Sequence, residues 1–193
     1  GKGVIIAENE EEAITAIRSM LDGNEFGESG NIILIEEFLY GEEASITIMA
    51  SGTDYVQLAS SQDHKRIGVG DSGLNTGGMG AYTPAPVVDD AMAERIMDEI
   101  IYPTLKAMAA EGRPYKGVLY AGLMITQDGP KLIEFNVRFG DPECQPLMVA
   151  LKSDILETLI ASADGTLDTV KLEWHDEATL IVVMAANGYP GRY

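Results

Sequence analysis

The segment Ile133-Glu134-Phe135-Asn136-Val137-Arg138-Phe139-Gly140-Asp141-Pro142-Glu143 constrains this chain more than any other stretch. Apolar and polar residues alternate at period 2, so a strand would put Glu134, Asn136 and Arg138 on one face and Ile133, Phe135 and Val137 on the other. The alternation ends at Asp141, which reads as a helix cap with Pro142 at the first helical position. A carboxylate and an amide oxygen two residues apart suit Mg²⁺, which takes hard oxygen ligands and keeps phosphate oxygens and water in its other positions. Arg138, one step further, suits bidentate contact with phosphate oxygens. The bland alternative is a sheet edge with a polar solvent face; asparagine, a poor strand former, argues against it.

Composition narrows the classes. The 193 residues are 46% hydrophobic, enough for one full domain or one and a fraction. Asp and Glu number 31 against 13 Lys and Arg, a formal net charge of -18, which disfavours nucleic acid and anionic membranes as partners. Any phosphate ligand must then be small and bound locally. One cysteine, Cys144, excludes an internal disulfide, and with two histidines it cannot build the usual His/Cys zinc site. These features point to reducing cytoplasm. The longest apolar run, Ala178 to Ala186, is broken by Thr179 and falls far short of the roughly 20 residues of a membrane helix. The opening Gly1-Lys2-Gly3-Val4 and the closing Gly188-Tyr189-Pro190-Gly191-Arg192-Tyr193 read as loops, so the chain is expected to be a piece of something longer.

Along the chain, Val4 to Ala7 reads as a strand, and Asn9 with Glu12 as a capping box ahead of a helix that stops at Gly23. Ile32 to Phe38 reads as a second strand, and 44–50 with 55–59 as a hairpin across Ser51-Gly52-Thr53-Asp54. Residues 60–87 show no sustained period and are expected to form a long loop. Met92, Ile96, Ile100 and Leu105 mark a helix from about Asp89 to Ala110, kinked or divided at Tyr102 by Pro103. A second hairpin, 118–126 with 131–137, turns at Gln127-Asp128-Gly129-Pro130; Ser153 is expected to cap a helix to Ala163, and Leu180 to Ala185 to form a last strand. The pattern predicts an α+β fold, antiparallel sheets flanked by helices.

Three further segments carry chemistry. Ile35 to Ser45 is an acidic hinge whose backbone suits an adenine edge and whose carboxylates suit ribose hydroxyls, or else a solvated acidic turn. Lys2 between two glycines can reach phosphates that bare backbone approaches. In the long loop, His64, Lys65 and Arg66 follow one another, and four glycines lie between Gly73 and Gly80: an anion pocket or a flexible surface loop. With Lys65 and Arg66 next to it, His64 reads as a hydrogen-bonding residue rather than a base. His175 reads as a surface residue, Cys144 as a small buried one, and Met92, Met97 and Met108 as core filling.

The strings GKGV (1–4), IEEFLYGEEAS (35–45), SSQDHKR (60–66), NTGGMGAYTPAP (75–86), LYAGLM (119–124) and IEFNVRFGDPE (133–143) together resemble the ATP-grasp superfamily. Within it they resemble the phosphoribosylamine-glycine ligase (glycinamide ribonucleotide synthetase) family, and VVMAANGYPG (182–191) resembles the start of that family's C-terminal domain. The resemblance implies an ATP-grasp fold with 1–37 as part of the lid, 38–164 as the core, and 165–193 as a connector and the start of a C-terminal domain. It implies a cytoplasmic enzyme of purine biosynthesis that joins glycine to 5-phosphoribosylamine with ATP, through glycyl phosphate. It further implies Glu134 and Asn136 as ligands of Mg²⁺ or Mn²⁺, and Arg138, Lys65 and Asp141 as catalytic. Lys2, the hinge Glu36, Glu37, Phe38 and Leu39, and Glu43 would bind ATP. Asp63, His64, Lys65, Arg66, Asn75, Thr76, Gly77, Gly78, Met79, Gly80 and Tyr82, with Arg138 and Asp141, would shape the substrate pocket. Many ATP-grasp enzymes carry another carboxylate on the strand before the metal strand, where Gly122 stands here. The rest of the parent chain would be its partner, and the isolated piece is expected to lack activity. A sister ATP-grasp ligase and a non-catalytic nucleotide-binding module are the alternatives.

Overall fold

The computed structural model describes residues 4–22, 32–70 and 72–191. They fall into two compact units, Gly1–Tyr40 and Gly41–Tyr193. In the first, helix α1 (Glu10–Asp22) starts at the expected capping box. Asn9 Oδ1 accepts from the Glu12 amide at 3.0 Å, while Glu12 accepts from Asn9 Nδ2 at 2.8 Å and from the Glu8 amide at 2.9 Å. Glu10, Glu11 and Glu12 place negative charge at the positive end of the helix dipole. The strands expected at 4–7 and 32–38 are not formed. Their β-branched composition is real, but a strand exists only where a neighbour completes its ladder, and the described residues of this unit offer none. Gly23, the expected helix stop, and Lys2 lie outside the described residues.

The second unit is built on a four-stranded antiparallel sheet in the order β2-β1-β7-β8. Strands β1 (Glu42–Ser51) and β2 (Asp54–Gln57) meet at Ser51 and Asp54, so the turn is the two residues Gly52-Thr53 with Gly52 at φ 69°. Strands β7 (Lys116–Thr126) and β8 (Gly129–Asn136) close at Thr126 and Gly129. Between β1 and β7 the ladder is unbroken over ten pairs, from Glu42 with Ile125 to Ser51 with Lys116.

One face of this sheet packs Ile46, Ile48, Ala50, Leu119, Ala121 and Leu123 against Ile96, Met97, Ile101 and Leu105 of the long helix. That helix is divided as the proline requires: α2 (Asp90–Ile96), a π-helical turn (Met97–Ile101) and α3 (Tyr102–Ala110). Pro103 has no N–H to donate, and the wider turn before it has the Tyr102 amide on Met97 O. Asp89 caps α2 by accepting from the Met92 amide. On the other face Met49 packs with Ala161 and Leu167. Ala161 belongs to α5 (Ile155–Asp164), whose Ser162 hydroxyl donates to Ala50 O at 2.7 Å.

The expected long loop is largely ordered into short strands: β3 (Gln62–Asp63), β4 (Arg66–Gly68), β5 (Ser72–Asn75) and β6 (Gly80–Thr83). Two-to-four-residue pairings need no hydrophobic period, so pattern reading misses them. Strands β4 and β5 form a ribbon, while β3, β6 and β9 (Thr179–Val182) form a second sheet. Two expected caps are corrected. Residues 141–143 form a turn, and α4 (Cys144–Ala150) begins after Glu143. Asp154 rather than Ser153 caps α5, accepting from Leu156, while Ser153 accepts from the Glu173 amide.

Ile48 is fully buried and Leu180 is 69% exposed. Ile48→Ala is expected to cost about 2–5 kcal/mol in denaturant unfolding of a full-length chain, and Leu180→Ala within about 0.5 kcal/mol of zero if its surface is free there. Equal losses would place the core elsewhere.

Candidate active site

The registers decide which polar side chains share a face. Gly122 opposes both Ser45 and Glu134, and Tyr120 opposes both Thr47 and Asn136, so all six lie on the sheet face that α5 covers at its other end. A bulge between Leu132 and Glu134 breaks the pleat, yet Glu134 and Asn136 keep the common face expected of them. Asn136 Nδ2 donates to Glu134 Oε1 at 3.2 Å. The two are near enough to share one hard cation once the amide turns its oxygen inward, and no described cation pairs with Glu134. A Cβ at Gly122 would meet Glu134 Cγ at 3.4 Å and Tyr120 Cε1 at 3.5 Å, ordinary contacts, so Gly122 lies directly against both side chains. Among the described residues no group of three His, Cys, Asp or Glu converges as a metal cage.

Arg138 departs from the expected row. Strand β8 ends at Asn136, the period-2 relation lapses, and Arg138 Nη1 donates to Phe139 O at 2.7 Å. Asp141 is exposed and accepts from Gln145 Nε2 at 3.4 Å.

The 60–66 string reaches the same face through a second pairing. Ser45 and Ser61 exchange backbone hydrogen bonds of 2.8 and 2.9 Å, and continuing that antiparallel register puts Asp63 beside Glu43. Lys65 Nζ closes the group, 2.6 Å from Glu43 Oε2 and 3.9 Å from Asp63 Oδ1. Tyr120 and Glu143, which sequence reading did not single out, complete it: the Tyr120 hydroxyl donates to Glu143 Oε1 at 2.7 Å, and Glu143 is 3% exposed. The available signals were Tyr120 two residues before Gly122 on one strand, and Glu143 closing the Gly-Asp-Pro-Glu turn.

The electrostatics follow from this crowding. Burial, with Glu143 and Glu43 adding to it against the opposing pull of Lys65, raises the Asp63 carboxyl to about 6. Burial pulls Lys65 down, but Asp63, Glu43 and Glu143 outweigh it and leave the ammonium above its ordinary value. Burial and the Glu143 carboxylate hold the Tyr120 phenol far above the usual range. Cys144 is likewise raised, by burial and by Asp141 and Glu143, although the residue is half-buried rather than buried as expected.

The glycine-rich string lies against these residues. Strand β6 pairs Tyr82 with Gln62 and Ala81 with Asp63, and the Tyr82 hydroxyl donates to Gln62 Oε1 at 2.7 Å. The His64 and Tyr82 rings are 5.5 Å apart; the His64 amide donates to Gly80 O, and Met79 returns the bond to His64 O. Thr76 donates to Lys65 O through both its amide and its hydroxyl, and its hydroxyl accepts from the Gly78 amide. Arg66 donates to Gly73 O and pairs in register with Asn75, while the Gly77 amide donates to the Tyr189 hydroxyl. Gly78 has φ 127°, and a Cβ there would collide with Pro142 Cδ, so only glycine allows this approach. Of the hinge residues, Glu36, Glu37 and Phe38 are exposed and Leu39 half-buried in the first unit, with the Phe38 and Tyr40 rings 4.7 Å apart.

Residues 1–144 match the family described as phosphoribosylglycinamide synthetase, ATP-grasp (A) domain. The chain belongs to this family. Phosphoribosylamine-glycine ligases of Pasteurella multocida and Escherichia coli are 58% and 59% identical over 194 aligned residues, covering 100% of this chain and 45% of each relative. The chain thus spans about half the length of the curated relatives it matches. The crystal structure of phosphoribosylamine-glycine ligase from Thermotoga maritima superposes with a TM-score of 0.86 at 32% identity, over 98% of this chain and 48% of that one. A Campylobacter jejuni biotin carboxylase, solved as a complex with β,γ-ATP, superposes at 0.66 and 16% identity over 93% of this chain and 39% of that one, a likeness of fold alone. The fold is therefore ATP-grasp, α+β with antiparallel sheets, as the strings suggested.

An Asp63 carboxyl raised to about 6 from 3.8 gives the folded state more bound protons between those values, so its contribution falls as pH rises through that window. Relative to Asp63→Asn, the wild-type domain is expected to lose about 2 kcal/mol between pH 4 and 6, read by denaturant unfolding at each pH. Parallel stability curves for the two proteins would show that Asp63 titrates normally.

Proposed function

We propose that these residues form the ATP-grasp part of a phosphoribosylamine-glycine ligase. ATP, glycine and 5-phosphoribosylamine give ADP, phosphate and glycinamide ribonucleotide through glycyl phosphate, in the cytoplasm, as a step of purine biosynthesis. The observation that carries this reading is the 58–59% identity to ligases of that name along the whole chain. The site supports it: a carboxylate-amide pair for a divalent ion faces the same side as a lysine set among carboxylates, beside a glycine-rich loop.

In this reading residues 1–37 are part of the lid, 38–164 the core, and 165–193 lead into a C-terminal domain, with the rest of a longer chain as the partner. Residues 165–191 pack within the second unit, where β9 pairs with β6. No helix among the described residues is long and apolar enough to cross a membrane.

Glu134 and Asn136 would hold Mg²⁺ or Mn²⁺, both of which accept an oxygen donor pair. Bound there, the ion supplies charge neutralisation at the transferring phosphoryl group. Lys2 and the hinge Glu36 to Leu39 bind ATP, and Glu43 takes the ribose. Arg138 swings from Phe139 O to the phosphoryl group, which its exposure permits. Lys65, with Asp63 and Asp141, orients glycine and phosphoribosylamine within the walls formed by His64, Arg66 and the 75–82 loop. The protein's work is positioning and electrostatics, with little proton transfer of its own.

A full-length chain carrying this sequence is expected to release phosphate from ATP only when both glycine and phosphoribosylamine are present. Glu134→Ala is expected to lower that rate by about a hundredfold or more, as loss of a transition-state charge contact does. Release without phosphoribosylamine, or with another acid in place of glycine, would move the function to a sister ligase.

A further inference from the structure

Glu143 stands apart from the other carboxylates of the site. It is 3% exposed, and among the described residues no Lys, Arg or His lies within ion-pair distance of it. Burying a carboxylate whose direct partner is a neutral phenol is costly, and a neutral side chain of the same volume would fill the space at less cost. The turn is nevertheless shaped around this charge. At Gly140 a Cβ would stand 2.5 Å from Glu143 Oε2 and 2.9 Å from Tyr120 Cε2, so the glycine makes room for the carboxylate against the ring. On its other side, Pro142 is gripped by Gly78 of the glycine-rich loop. Glu143 is thus held between the strand that faces the cation pair and the loop that faces Lys65.

We propose that Glu143 is a positioning residue: a fixed negative charge, anchored by the Tyr120 hydroxyl and seated against Gly140, that sets the placement and charge of the Lys65–Asp63 pair. Two carboxylates, Glu43 from β1 and Asp63 from β3, hold the Lys65 ammonium directly, and Glu143, in the turn before α4 and anchored on the Tyr120 phenol of β7, adds its charge from beyond ion-pair distance. Glu143 reinforces the ammonium and opposes ionisation of Asp63, and its charge acts on both. The excess of negative charge keeps Lys65 folded onto Glu43 and Asp63 until a substrate takes their place. The kinetic consequence rests on the ligase reading; the electrostatic one does not.

The test uses a full-length chain with the Asp63 carboxyl carbon observed by NMR across pH. Glu143→Gln keeps an acceptor for Tyr120 and removes the charge, so the Asp63 midpoint is expected to fall by about half a unit or more. Lys65→Met is expected to move it in the opposite direction, an opposition that loosened packing does not produce. In the same Glu143→Gln protein, kcat/KM for glycine or phosphoribosylamine is expected to drop about tenfold while KM for ATP stays within about twofold. Should Glu143→Gln not fold, Tyr120→Phe releases the same carboxylate and is expected to shift the Asp63 midpoint away from its wild-type value. An unmoved Asp63 midpoint in the folded variant tested overturns the proposal, as does a KM for ATP that rises in step with those of the other substrates. Shifts of the expected sign in a chain without ligase turnover would sink the ligase reading and leave the positioning role standing.

Discussion

The ten-pair ladder between β1 and β7 is the constraint on which the rest depends. Both strands are buried through their centres, so this ladder carries the side chains that build the core on one face and the site on the other. Ile46, Ile48 and Ala50 anchor the long helix, while Ser45 and Thr47 set the level of Gly122 and Tyr120. Because side chains alternate strictly, a slip of one residue would move the whole polar set into the hydrophobic core. The site's composition is therefore locked to the fold's stability.

Edges of this sheet do the remaining positioning. Among the described residues strand β8 pairs only with β7, and it brings Glu134 and Asn136 level with Gly122 and Tyr120. On the opposite side, β2 occupies β1 over Ile48 to Ser51, and the chain then returns so that Ser61 takes the place beside Ser45. That return delivers Asp63 and Lys65 to Glu43. A carboxylate pair and an ammonium meet here because backbone hydrogen bonds oblige them to, and the electrostatics are a consequence of the register rather than its cause.

The two glycines at the close approaches show how little room the arrangement has. Gly78 lets the loop rest on Pro142, and Gly140 lets the Glu143 carboxylate sit against Tyr120. Each removes a Cβ where a second element must come within contact distance. The loop and the turn before α4 are thereby fitted to each other, although 62 positions separate Gly78 from Gly140 in the chain.

Much of this was legible in the residues themselves. The Asn9–Glu12 capping box, the division of the long helix at Pro103, the two hairpins and the common face of Glu134 and Asn136 all follow from local rules: capping chemistry, a missing N–H, and period-2 alternation. Local rules also misled. Val4 to Ala7 and Ile32 to Phe38 have strand composition but no ladder among the described residues, and Asp141 has the chemistry of a cap in a turn that starts the helix three residues later. What only the tertiary structure decided is what distant pairing decides: that β8 ends before Arg138, that Ser61 returns to Ser45 and so sets Asp63 and Lys65 beside Glu43, and that Tyr120 reaches Glu143. Sequence pattern reports which face a residue takes along its own strand; which strands meet, and at what register, is settled by burial and hydrogen bonding between segments that no local period connects.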